Sequence, residues 1–143
     1  MIDAVTQMRL QDLFRRENRS FLQYVSQATP WSRNLDRPIV EKILNLAVEE
    51  LAALDKLAIW MDSEHIPLPY LGAFSTSFTS FNFVDIRRLL GPLVVEQRKE
   101  LADLEADAKC LEHSKAKALI NELVELNRKQ LETMESLKQP LAA

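Results

Sequence analysis

The chain has 143 residues with 47% hydrophobic and 27% charged side chains, a balance that fits one globular domain and argues against disorder. It holds 2 glycines where average usage of ~7% would supply about ten, so glycine-rich β turns and nucleotide-binding phosphate loops are not expected. Its 18 basic and 21 acidic residues leave a net charge of −3, with the basic ones in scattered pairs, which argues against nonspecific nucleic-acid binding.

Four long helical patterns follow. The first covers residues 3–28, with Val5, Leu10, Leu13, Phe14, Phe21, Tyr24 and Val25 three to four apart, Asp3 placed to cap it and Thr29–Pro30 to end it. After a connection over 31–37, Pro38 suits the first turn of a second helix, 38–64, whose apolar face holds Ile43, Leu46, Ala47, Leu54, Leu57 and Met61. Pro67 and Pro69 stop it. Residues 67–83 are rich in Ser, Thr and Phe; Phe74, Phe78, Phe81 and Phe83 predict a segment pinned to the body of the protein. Asn82 is placed to cap a third helix reaching about residue 112, with a kink or short break expected at Gly91–Pro92. A turn at His113–Ser114 leads into a fourth helix, 115–138.

The connection lengths predict topology. Short links make antiparallel pairs of helices one and two and of helices three and four. A helix of ~26 residues is ~39 Å long, and 17 extended residues reach ~56 Å, so 67–83 can run the length of the bundle. The expected fold is therefore all-α: one domain, 1–143, a four-helix bundle with one long crossover between helices two and three.

Acidic and amide residues on apolar stripes are the informative anomalies. Glu17 lies among Leu13, Phe14, Phe21 and Tyr24; Glu50 among Leu46, Ala47, Ala53 and Leu54. Glu96, Gln97 and Glu100 interrupt the third helix, and Asn127 and Gln130 the fourth. All fall at mid-helix, so they can meet in one layer. Glu17, Tyr24, Glu50, Gln97 and Asn127 are expected to form it. A buried carboxylate needs a cation, a donor or a proton. The layer is either a structural polar network or a carboxylate metal site, for which Glu17, Glu50 and Glu96 are the candidate ligands.

These same residues carry a resemblance. Over nearly the whole chain the pattern resembles ferritin-like proteins of the bacterioferritin and rubrerythrin kind. Glu17 and Tyr24 stand seven apart like that family's first ligand Glu and its Tyr. Glu49–Glu50 look like the start of its Glu-x-x-His, and Leu89-Leu-Gly-Pro-Leu-Val-Val-Glu96 looks like its third-helix ligand run. The resemblance implies the crossover bundle and a di-iron centre of four carboxylates and two histidines. This chain departs from that centre. Ala52 or Ala53 stands at the second-helix histidine, and Val124 with Asn127, or Glu125 with Arg128, at the fourth-helix pair. His65 and His113 fall at helix ends.

The resulting expectation is a ferritin-like bundle without di-iron chemistry or cofactor, leaning away from an enzyme, acting as a structural or interaction module. Trp31, Trp60 and the crossover phenylalanines predict an interface and so a homo-oligomer, a dimer first. The alternatives are an iron- or manganese-binding oxidoreductase or iron-handling protein with a carboxylate-rich site, and a small-molecule binder with its pocket in the polar layer. Cys110 alone forms no internal disulfide. No apolar run approaches ~18 residues, and residues 1–10 lack a secretory signal, so no membrane partner and a cytoplasmic location are expected.

Overall fold

A computed structural model describes residues 2–28 and 30–138, and these are all-helical, with five α-helices and no strand. The helices are α1 (Ala4–Asn18), α2 (Phe21–Ala28), α3 (Arg37–Ser63), α4 (Ile86–Cys110) and α5 (Ser114–Lys138). Short 3-10 turns lie at Asn34–Asp36 and Thr76–Phe81. None of the helices is long and apolar enough to cross a membrane. The expected stop at Thr29 lies outside the described residues.

Asp3 caps α1 by accepting from the Thr6 amide at 2.6 Å. The expected single first helix is two, because the chain around Arg19 satisfies its groups locally. The Asn18 side-chain Nδ2 donates back to the Phe14 carbonyl, 2.8 Å, and the Arg19 backbone amide donates three residues back to the Arg16 carbonyl. Ser20 Oγ then accepts from the Gln23 amide at 3.2 Å, starting α2 as an N-cap does.

After α3, His65 takes a left-handed φ of 59° and the Ile66 amide reaches back to the Met61 carbonyl, 2.9 Å. Residues 67–83 then follow α1 and α2. Pro67 O accepts from Gln11, Gly72 O from Arg19, and the rings of Phe78 and Phe81 stand 5.0 and 5.1 Å from Phe21. The Ile86 amide closes the path on Trp31 O at 2.8 Å. As the segment advances its partners advance from residue 11 to residue 31, so it runs lengthwise. Its cap on α4 differs from expectation. Asp85, not Asn82, accepts from the Arg87 amide at 2.9 Å, because the Asn82 side chain is held by the Tyr24 hydroxyl.

Arg87 Nε sits 2.8 Å from Asp36 Oδ1, placing the starts of α3 and α4 at the same end. Bonds from Lys56 to Glu122 and from Gln130 to the Leu46 carbonyl set α5 antiparallel to α3. α4 is uninterrupted through Gly91 and Pro92, so the expected break is absent. The carbonyl that Pro92 leaves without a donor belongs to exposed Arg88, where water can serve it, and buried Leu89, Leu90, Leu93 and Val94 hold the helix on the core.

The core is two apolar clusters. One gathers Leu10, Leu13, Leu54, Leu57, Leu104 and Ile120; the other Phe21, Ile43, Leu46, Leu90, Leu93 and Met134. On every helix line the change from one to the other falls at the polar residues.

Candidate functional site

Between the clusters lie the buried side chains Glu17, Ser20, Gln23, Glu50, Gln97, Asn127 and Gln130, with Glu100 half-buried beside them. Glu50 is the best satisfied. Its Oε1 accepts from Ser20 Oγ at 2.8 Å and Gln23 Nε2 at 2.9 Å. Glu17 accepts from Arg16 Nε at 3.2 Å. Arg16 also reaches Asp107 at 2.8 Å, and Arg9 meets the same carboxylate at 3.2 Å. Glu100 accepts from Asn127 Nδ2 at 3.2 Å. Gln97 donates to the Asn127 carbonyl, 3.4 Å, and Gln130 to the Leu46 carbonyl, 2.8 Å.

Two expected members are placed elsewhere. Tyr24 is half-buried against Phe21, Phe74 and Phe78, with its hydroxyl on Asn82. Two helical turns would return it to the Glu17 face, but the break at Arg19–Ser20 resets the phase and Gln23 takes that direction. Glu96 pairs with Lys99 at 3.3 Å and keeps 36% of its side chain exposed. It precedes Gln97 by one residue, about 100° off the buried stripe. Glu100, one turn on, is the α4 carboxylate of the layer. Glu17, Glu50, Gln97 and Asn127 stand together as neighbours of it. Gln23 is the member that apolar periodicity does not reveal; two side chains able to bond the backbone locally, Asn18 and Ser20, at mid-pattern are the available signal.

The layer is electrostatically demanding. Burial pushes the Glu17 carboxyl up to about 8, against the pull of Arg16, with the Glu50 charge adding to the rise. Burial likewise raises Glu50 to about 7 despite its bonds from Gln23 and Ser20. Glu100 is raised well above the ordinary range by burial and by the charges of Glu17 and Glu50. Fully ionised, Glu17, Glu50, Glu100 and Asp107 would face only Arg9 and Arg16, so protons are the simplest way to neutralise the remainder.

Glu17, Glu50, Asn127 and Gln130 line a cavity of about 10 Å³, room for about one water. Asn127 Oδ1, buried there, has no hydrogen-bond partner. A drug-sized ligand exceeds this volume. A di-iron centre is not matched by the donors either. The side chains completing the layer are amides and one hydroxyl. Among the described residues no three His, Cys, Asp or Glu side chains converge on a point that could hold a metal ion. His65 is exposed just past α3, and the His113 ring lies tilted against Trp60, centroids 5.6 Å apart, while its Nδ1 accepts from the Ala116 amide. Both belong to the far end of the first cluster.

No protein-family model, curated protein or solved structure matches the chain.

Proposed function

We propose that the protein is a ferritin-like four-helix bundle, with α1 and α2 as one broken helix and residues 67–83 as its long crossover, that has lost di-iron chemistry and serves as a self-associating structural or interaction module. The lengthwise path of 67–83 and the shared end of α3 and α4 support the topology. The amide-rich donor set around Glu17, Glu50 and Glu100 supports the loss of redox chemistry.

The observation that carries the interaction role is the outer face of α3. Its buried stripe runs Ile43, Leu46, Ala47, Glu50, Leu54, Leu57 and Met61. On the opposite side Val48 is 65% exposed, Leu51 39% and Ile59 72%. Val48 and Ile59 are eleven residues apart, about three turns, and so share one line. Exposed Val48 and Ile59, set among the charged Asp55 and Lys56 of the same face, form a small apolar patch, and a second copy presenting the same patch covers it as a two-fold dimer. Trp60, by contrast, is half-buried against the first cluster and offers little surface.

Sedimentation equilibrium tests this reading. The wild type is expected to be dimeric at about 100 μM and the double variant Val48→Glu/Ile59→Glu monomeric, with the two unfolding midpoints equal only at dilutions where the wild type is dissociated, since association itself stabilises the folded chain. A monomeric wild type at that concentration sinks it. The competing reading, one iron or manganese ion in the carboxylate layer, draws support from one feature, the unpartnered Asn127 Oδ1 at the cavity.

A further inference from the structure

Space for a ligand exists at the end of the molecule where α2 meets the start of α4. An open pocket of about 300 Å³ is lined by Tyr24, Gln27, Ala28, Phe74, Asn82 and Phe83, within the size range of small-molecule sites. We propose that this pocket binds a small uncharged aromatic molecule carrying a hydrogen-bond acceptor.

Three observations, independent of the reading of the core, carry this. First, the walls are three aromatic rings and none of the six lining residues is charged, in a chain that is 27% charged. Burying a charged ligand there would leave it without a counter-ion. Arg19 lies over the wall residue Phe74 at 4.9 Å and is already bonded to the Gly72 and Asn18 carbonyls.

Second, Phe83 is held in a conformation it does not favour. Its φ is 62°, the left-handed region in which a bulky side chain is an outlier. Yet its ring is 80% exposed, touching Trp31 at 6.2 Å, so core packing does not explain the strain. The neighbours impose it. Asn82 is fixed by the Tyr24 hydroxyl and the Thr79 carbonyl, and Asp85 by its bridge to Trp31. Strain of this kind, held by anchored flanks, marks sites where a side chain is kept in place for a ligand.

Third, polar groups stand at the rim. Asn82 Oδ1 is taken by Tyr24, while its Nδ2 and the Gln27 amide are exposed to solvent and have no protein partner among the described residues. An acceptor on the ligand can replace water there.

The test uses 2-naphthol and its anionic analogue 2-naphthoate on the full chain, followed by saturation-transfer NMR and Trp31 fluorescence at pH 7. Saturable 2-naphthol binding is expected with Kd below about 1 mM, and 2-naphthoate is expected to bind at least ~10-fold more weakly. Phe83→Gly removes a wall and suits the left-handed φ, so its unfolding midpoint should hold or rise while 2-naphthol binding falls at least ~10-fold. A variant that merely unfolds would lower the midpoint, which separates the two. No saturable binding by the wild type, equal binding by Phe83→Gly, or equal binding of the two probes would overturn the proposal. So would a wild type that ignores 2-naphthol and loses self-association on Phe83→Gly, which would place a second copy in the pocket.

Discussion

Raising the pH from 5 to 8 is expected to destabilise the fold by about 3–6 kcal/mol, with the carboxylate layer as the cause. Glu17 and Glu50 titrate near 4.5 as ordinary glutamates and near 8 and 7 in the folded protein. Between those values the folded state keeps protons that the unfolded chain has released, so stability falls as pH rises. The contribution is complete below pH 4.5 and lost as the pH passes through 7 and 8. Glu17→Gln keeps the shape and the acceptor for Arg16 but cannot ionise. Its unfolding free energy should match the wild type at pH 5 and exceed it by about 2–4 kcal/mol at pH 8. Urea unfolding at both pH values measures this. A wild type whose stability is flat or rises over that range would mean that the layer is ionised and paired.

Arg87→Met is expected to cost about 3–5 kcal/mol. Asp36 is fully buried, and its firm partner is Arg87 Nε at 2.8 Å. Arg33 stands 3.5 Å from the other oxygen but is 70% exposed, and that oxygen accepts no hydrogen bond. Removing the guanidinium while keeping an apolar stem strands a carboxylate in the core. Adding Asp36→Asn should recover part of the loss, since the two changes share one interaction. A single-variant cost under about 1 kcal/mol, the range of a surface pair, would show that the pair does not fasten the ends of α3 and α4.

What could be read without coordinates followed from strong local patterns. The bounds of α3 follow from Pro38 and from Pro67 and Pro69, the start of α5 from the His113–Ser114 turn, the pinning of 67–83 from its phenylalanines, and the burial of Glu17, Glu50, Gln97 and Asn127 from apolar periodicity. The misplacements share a cause, local bonds that reset helical phase. Asn18 and Ser20 divide the first helix; beyond the break Phe21 and Val25 stay buried as expected, while Gln23 enters the polar layer and Tyr24 moves to the edge of the second cluster. Glu96 and Glu100 flank the same stripe, and only the packing angle of α4 decides between them. Asn82 lost its capping role to a tertiary partner, Tyr24, that no short-range pattern reveals. The burial of Asp36 has no local signal because its partner, Arg87, is 51 residues away.

On the proposed reading the core layer holds protons and amide bonds where a di-iron centre would need imidazoles. The deciding measurement is metal analysis of protein purified without chelator and then loaded anaerobically with Fe(II), followed by exposure to oxygen. Substoichiometric iron and no oxygen-dependent Fe(II) oxidation above background are expected. Two iron atoms per chain, about 3.5–4 Å apart and bridged by Glu50 or Glu100, would contradict it.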